Sequence, residues 1–370
     1  MGQRAVRTGP LRTVKVVEIG GIGPGPFATM TLADMGADVI RIDRRNHRGE
    51  FPGDPRDDLL NRGKRSIELD LKSPDDVEVA LRLIDRADVV VEGFRPGVVE
   101  RLGIGPETCL ERNPRLVYGR MTGWGQEGPW AQQVGHDINY IAVTGALDAI
   151  GHAGEGPTIP LNLVGDYGGG GMYLVAGVLA ALVEVASTGA GQVVDAAIVD
   201  GAAHLLTGTH AMIAAGAWVH ERGQNILDGA APHYNVYETA DGKYMAVGAG
   251  EPQFYRELLD RLGLDADPEE RNDREGWPAL RDSMAAIFAT RTRREWEDVF
   301  GNSMACTSPV LSLLDAQHHP HVAARRTLVE RDGRLQAAPA PRFSRTPTAL
   351  GSPPPAPGQH SEEILAELGD

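Results

Sequence analysis

Only two cysteines occur in the 370 residues, Cys109 and Cys306. They supply neither a disulfide framework nor a metal-ligand spacing, and they fit a reducing compartment, so a cytoplasmic location is expected. Long apolar runs are missing as well. The longest, Met172 to Val185, carries Glu184 and follows four glycines, so it reads as a buried helix and not as a membrane span of ~18 apolar residues. The N-terminus has no apolar stretch of the signal-peptide kind. Arg4, Arg7, Arg12 and Lys15 precede the first acid, Glu18, a bias that transit peptides share, but Pro10 and the shortness of the stretch favour a frayed tail. Met1-Gly2 lacks Ser or Thr at position 6, against myristoylation, and Glu367 to Asp370 is no peroxisomal address. No Gly-x-Ser-x-Gly elbow, Walker loop or internal repeat appears.

Positive charge is also in short supply. The chain has 36 Lys+Arg against 51 Asp+Glu, a net charge of -15. Residues 1–101 are balanced at 17 against 17, so residues 102–370 carry the whole deficit. Such a protein repels nucleic acid, and no basic strip interleaved with aromatics is present. The neutral N-terminal third is where a small polyanionic ligand is best tolerated.

What is abundant is glycine, 46 residues, with 25 prolines, which implies many turns. Between them strands alternate with helices. Strands are expected at 14–19, 39–42, 66–71, 87–91, 116–121 and 192–197. Helices are expected at 27–35, from 73 and at 172–187, and a helical stretch runs past His204 and His210. This alternation is the signature of an α/β fold with a doubly wound parallel sheet. After a linker at 221–232 the texture changes to a β-hairpin (235–239 and 243–247, turning at Asp241-Gly242) and amphipathic helices at 253–262, 276–290 and 293–301, a smaller α+β domain. The organisation expected is residues 1–220 with 331–370 as the large domain and 233–330 as the small one. The C-terminal part reads as extended, ending in a helix from Ser361 to Leu368.

Gly20 to Pro26 (GGIGPGP), with Asp43 at the next strand end, invites a dinucleotide reading. Pro24 and Pro26 remove N–H donors that a pyrophosphate would need, which argues against it. Arg41, Arg44, Arg45 and Arg48, then Lys64, Arg65 and Lys72, then Arg95 and Arg101, are either a solvated surface or a phosphate site at strand ends. His136, in Gly135-His136-Asp137-Ile138-Asn139-Tyr140, is placed near a helix N-terminus, as a base or as a cap. Asp166 precedes four glycines in an apolar surround; burial raises its pKa and a helix N-terminus lowers it. The glycines allow a ligand to approach the backbone, and the plain alternative for Asp166 is an N-cap. His204, His210 and His220 read as structural. His318-His319-Pro320-His321 lacks a carboxylate or cysteine to complete a metal set, so no metal is expected.

These stretches together resemble the family III CoA-transferase superfamily and, within it, the α-methylacyl-CoA racemase branch. The resemblance runs nearly end to end, through VVEIGGIGPGPFATMTLADMGADVIRID, RMTGWGQEGPW, GHDINYIAVTGAL, NLVGDYGGGGMYLVAGVLAAL, GQVVDAAIVDG, VYETADGKYMAVGAGEPQFY and PAPRFSRTP. It implies a Rossmann-like large domain, a small α+β domain and two subunits interlocked as rings. It implies a racemase acting on 2-methylacyl-CoA, with CoA part of the substrate and no separate cofactor. His136 and Asp166 match the two bases, Glu251 the glutamate that orients the histidine, and Asn162 a supporting asparagine. Ile22, Arg44, Leu69, Asp70, Leu71, Lys72, Gly93, Phe94, Arg95, Arg101, Gly135, Asp137 and Tyr140 fall where the family contacts CoA. Backbone N–H groups near Asp166 and the glycine run are expected to meet the enolate oxygen. The rival reading is a CoA-transferase in which Asp166 is the nucleophile.

Overall fold

A computed structural model of the chain describes residues 7–46 and 53–369; Arg4 and Arg48 of the basic clusters lie outside the described residues. Packing divides the chain into two units. The first comprises the chain up to residue 144, residues 161–206 and the chain from 324 onward; the second comprises residues 145–160 and 207–323. The segments 145–160 and 207–220, expected with the large domain, pack with the second unit. There Arg222 donates to the carbonyls of Asp148 and Glu155 and to the Asp148 carboxylate. The expected linker 221–232 has structure of its own: the Asp228 carboxylate accepts from the N–H groups of Gly223, Gln224 and Asn225.

The first unit is built on six parallel strands: β1 (Lys15–Ile19), β2 (Asp38–Arg44), β3 (Lys64–Leu69), β4 (Val89–Glu92), β5 (Val117–Thr122) and β6 (Gln192–Ala197). Their spatial order is β3-β2-β1-β4-β5-β6, and each adjacent pair is parallel. Order reverses between β1 and β4, and it is outside the carboxyl ends of strands at such a point that open α/β sheets bind ligands. Strand side chains alternate between faces. Val16 and Val39 join one core with α1 (Pro24–Asp34) and the helix Met172–Thr188; Val17 and Ile42 join another with α2 (Pro74–Ile84) and the C-terminal helix Ser361–Leu368.

Two elements differ from the sequence reading. The helix expected from Phe27 starts at Pro24, because Pro24 and Pro26 occupy a first turn whose N–H groups have no helical acceptor anyway. The four glycines are not a loop: Leu163–Gly171 is π-helical and runs straight into Met172–Thr188. A continuous helix, Leu163–Thr188, is therefore long and apolar enough to cross a membrane by composition, although nearly half of that stretch is buried in the protein. Glycine disfavours helix, but here close packing outweighs propensity. A Cβ on Gly169 would stand 2.7 Å from the Ala202 nitrogen, and one on Gly171 2.7 Å from Phe27. The absent side chains thus admit neighbouring helices and not a ligand.

The second unit carries an antiparallel sheet of β7 (Tyr234–Glu238), β8 (Tyr244–Gly248) and β9 (Thr307–Val310), in that order. Helices Pro252–Leu262, Trp277–Phe288 and Arg293–Phe300 accompany it. Its core is aromatic: Tyr237 stacks on Phe288, which meets Trp296 and Phe300. The C-terminal stretch, expected extended, includes an antiparallel pair, Leu328–Arg331 with Arg334–Ala337.

Candidate active site

A cavity of about 220 Å³ opens at the reversal of strand order. Its walls are the turn after β1 (Gly21 to Pro26), the end of β4 (Val91 to Gly93), the end of β5 (Met121 to Gly123), the stretch Gly135, His136 and Tyr140, and Asp166. His136 and Asp166, 30 residues apart in sequence, share this one cavity within the first unit.

His136 is the N-cap of α3 (Asp137–Val143), and its N–H donates to Asn139 Oδ1 at 3.0 Å. The loop before it is held by rings. Trp124 lies edge-on to Trp130 (4.9 Å) and to Tyr140 (4.8 Å), and the Tyr140 hydroxyl donates back to the Gly135 carbonyl. The imidazole itself is exposed. Asp166 sits in the π-helix, where the wider turn lets the Tyr167 N–H reach the Asn162 carbonyl five residues back. Asn162 Nδ2 reaches Asp166 Oδ2 at 3.4 Å. Gly23, at φ 68°, brings the first turn onto this carboxylate: a Cβ there would stand 3.3 Å from Oδ2. Burial raises the Asp166 pKa; the Asn162 hydrogen bond and the His136 charge oppose this, and the Asp137 charge adds to it. The opposing helix-terminus effect does not prevail. Burial, then the Asp166 charge, pushes the Tyr140 phenol up.

Beneath the cavity lies a buried ion network. Glu18 Oε2 is 2.7 Å from Lys64 Nζ and accepts from Thr29 Oγ1 at 2.6 Å, while Arg41 pairs with Glu18 and Asp43. The network grips the first turn: Arg41 donates to the Gly21 carbonyl and Lys64 to the Pro26 carbonyl. This corrects the phosphate reading of part of the arginine cluster. Arg41, Lys64 and Arg65 are buried and answer the protein's own carboxylates, Arg65 pairing with Asp38, Glu363 and Glu367. Asp43, which a nucleotide ribose would need, is taken by Arg41 and by the Ser66 hydroxyl. Among the described residues, Arg44, Lys72, Arg95 and Arg101 form no ion pair.

Of the expected CoA contacts, Ile22, Gly93, Gly135 and Tyr140 line the cavity with the two bases. Arg44 ends β2, Leu69 ends β3 with Asp70 to Lys72 after it, and Phe94, Arg95 and Arg101 follow β4, at the same carboxyl edge of the sheet but outside the cavity wall. Asp70 is occupied within its own turn, its carboxylate accepting from the Lys72 N–H. Glu251, the N-cap of Pro252–Leu262, belongs to the second unit. Among the described residues no group of three His, Cys, Asp or Glu is arranged to hold a metal ion. Sequence reasoning missed the Glu18–Lys64–Arg41 network, although strand alternation carried a signal: Ser66 and Lys64 share a face, and neither is solvated.

The profile of CoA-transferase family III matches residues 11–361. The chain belongs to this family. α-Methylacyl-CoA racemase from mouse is 45% identical to it over 363 residues, covering 97% of this chain and 93% of the mouse protein. The human α-methylacyl-CoA racemase is 44% identical over 362 residues, with the same coverage of both chains. A crystal structure of a CaiB/BaiF family protein from Brucella suis superposes with a TM-score of 0.81 at 27% identity, covering 98% of this chain and 100% of that one. The α/β fold with its six-stranded parallel sheet is thus the fold of this family.

Proposed function

We propose that this family III protein is a racemase that interconverts (2R)- and (2S)-2-methylacyl-CoA thioesters. The observation that carries the reading is the placement of His136 and Asp166 on one cavity at the switch point of the sheet. The identity to mouse and human racemases supports it. The α-proton of a thioester leaves only as its carbonyl oxygen takes up negative charge. One base removes the proton from one face, and an acid returns a proton to the other. With His136 as base, protonated Asp166 is the donor; in the reverse direction the roles exchange. A carboxyl with a raised pKa suits this double duty. The Asp166 N–H is committed to Asp137, so it is not the enolate's donor. Gly21, Gly23, Gly25 and Gly135 bring other main chain to the cavity wall.

We further propose an interlocked homodimer in which Glu251 of a second copy orients His136. The exposed Leu161, Leu163, Met172, Val183 and, on edge strand β6, Val193 support a surface that a second copy covers. CoA arrives with the substrate, no resident cofactor takes part, and the two free cysteines fit the cytoplasm.

The family's name keeps one rival in view, attack of the Asp166 carboxylate on the thioester to form an anhydride. One experiment separates the two. The enzyme is given (2S)-2-methylacyl-CoA, with and without a second free carboxylic acid. The racemase reading predicts the (2R) epimer in both cases and no new acyl-CoA. A new acyl-CoA without epimerisation would overturn it.

A further inference from the structure

The two base-bearing segments are joined by a side chain whose role the resemblance puts elsewhere, among the CoA contacts. Asp137 follows His136 at the first position of α3 and is 7% exposed. Its Oδ2 accepts from the Asp166 N–H at 2.6 Å. The contact is so close that a Cβ on Gly165 would stand 2.3 Å from Oδ2, so a side chain there would push the carboxylate off the Asp166 N–H. Its Oδ1 is buried with no hydrogen-bond partner among the described residues, and no cation pairs with this carboxylate.

We propose that the Asp137 carboxylate is a positioning residue of the racemase reaction: it locks the Asp166 backbone to the helix that begins at His136 and, as an unneutralised like charge, biases Asp166 toward its protonated form. The inference rests on the racemase reading given above.

The geometry supports both halves. A hydrogen bond to a charged acceptor at this distance is among the stronger ones available, and the bond ties two helical segments across 29 residues of sequence. A buried carboxylate without a counter-ion is screened less than an exposed one, so its charge adds to the effect of burial on its neighbour. Few groups compete. The charged or titratable groups around Asp166 are His136, Asp137 and Tyr140 from α3 and its cap. The first turn of α1 presents none, being Pro24, Gly25 and Pro26; Ile198 is the sole cavity residue of the helix Ile198–Leu205, and Met121, Thr122 and Gly123 represent β5. Glu18 and Glu92 line the same cavity, but each is neutralised, by Lys64 with Arg41 and by Arg120 respectively.

Asp137→Asn tests the charge, since an amide oxygen still accepts from the Asp166 N–H. Asp137→Ala tests the anchor. The Asp166 carboxyl is titrated by infrared difference spectroscopy against Asp166→Asn, a readout that needs no turnover, and the pH dependence of racemisation is measured beside it. The acid limb of kcat/KM reports the proton loss that makes the free enzyme competent. In Asp137→Asn both the infrared midpoint and this limb move to lower pH, with the melting temperature nearly kept. In Asp137→Ala kcat falls further, and KM changes less than kcat. An unmoved midpoint in a folded Asp137→Asn overturns the inference while wild-type racemisation still sustains the racemase reading. Absence of racemisation in the wild type with a midpoint that moves overturns the racemase reading and leaves the carboxylate coupling standing.

Discussion

The two units of this chain bury different groups beside their aliphatic side chains. The first buries ions: Glu18 with Lys64 and Arg41, Asp34 with Arg62, Glu92 with Arg120. The second buries rings: Tyr237, Phe288, Trp296 and Phe300 in one stack. In the first unit the buried ions stand under strand-end loops and donate to their carbonyls, so charge is placed where backbone position matters for chemistry. Burial pulls the Lys64 ammonium down to about 8 against the pull of Glu18, a strain that a purely structural core would avoid. In the second unit the core supplies compactness, and rings do so at lower desolvation cost.

The sharpest way to break this comparison is by paired substitutions. Lys64→Met alone leaves Glu18 buried beside Arg41 only and is expected to cost about 3–5 kcal/mol of unfolding free energy. Adding Glu18→Gln is expected to recover part of that loss. In the second unit Trp296→Ala costs a similar ~3–5 kcal/mol, and adding Phe288→Ala makes it worse. Urea unfolding curves in which the second substitution moves stability in the same direction in both units would dissolve the distinction.

The next effect is in pH. His233 is 1% exposed, edge-on to Tyr255 and Trp277, and burial followed by the Arg271 charge pushes its pKa down to about 4. The unfolded chain binds this proton below the ordinary value of 6.5 while the folded chain resists it down to about 4. Stability is therefore whole above pH 6.5 and is lost as pH falls through that window, by at most ~3 kcal/mol. Melting curves between pH 7 and 4.5 should show a smaller loss in His233→Gln than in the wild type. The smallest effect is at a cap: Thr292 accepts from the Glu295 N–H at the start of Arg293–Phe300, and Thr292→Ala is expected to cost ~1 kcal/mol in the same assay.

Much of this architecture was legible in the residues. Gln192–Ala197 and Ser361–Leu368 fold with the bounds their patterns imply, and the Asp241-Gly242 hairpin turns where expected, with Gly242 at φ 69°. His136 and Asp166 stood out because few motifs place a histidine and an isolated aspartate beside glycines. Other features hid for physical reasons. The π-helix at 163–171 defies glycine's local preference because its partner, Gly201, is remote in sequence: a Cβ on Gly201 would collide with the Gly169 carbonyl. The strand Thr307–Val310 contains Pro309, which is tolerated because the strand lies at an edge, paired with β8 alone. Arg41 and Lys64 read as surface charge or as a phosphate site because their counter-ion, Glu18, stands on another strand. The hydrogen bond from the Asp166 N–H to Asp137 hid because its donor lies 29 residues away in sequence.

The central claim is a proton shuttled between an imidazole and a carboxyl group across one carbon. It is tested most directly by following deuterium from D2O into C2 of a resolved 2-methylacyl-CoA by mass spectrometry, with chiral separation of the epimers. The wild type is predicted to place deuterium at C2 in the newly formed epimer, and His136→Ala and Asp166→Asn to lose racemisation by about 10²–10⁴-fold each. Racemisation at the wild-type rate in either variant would contradict the account.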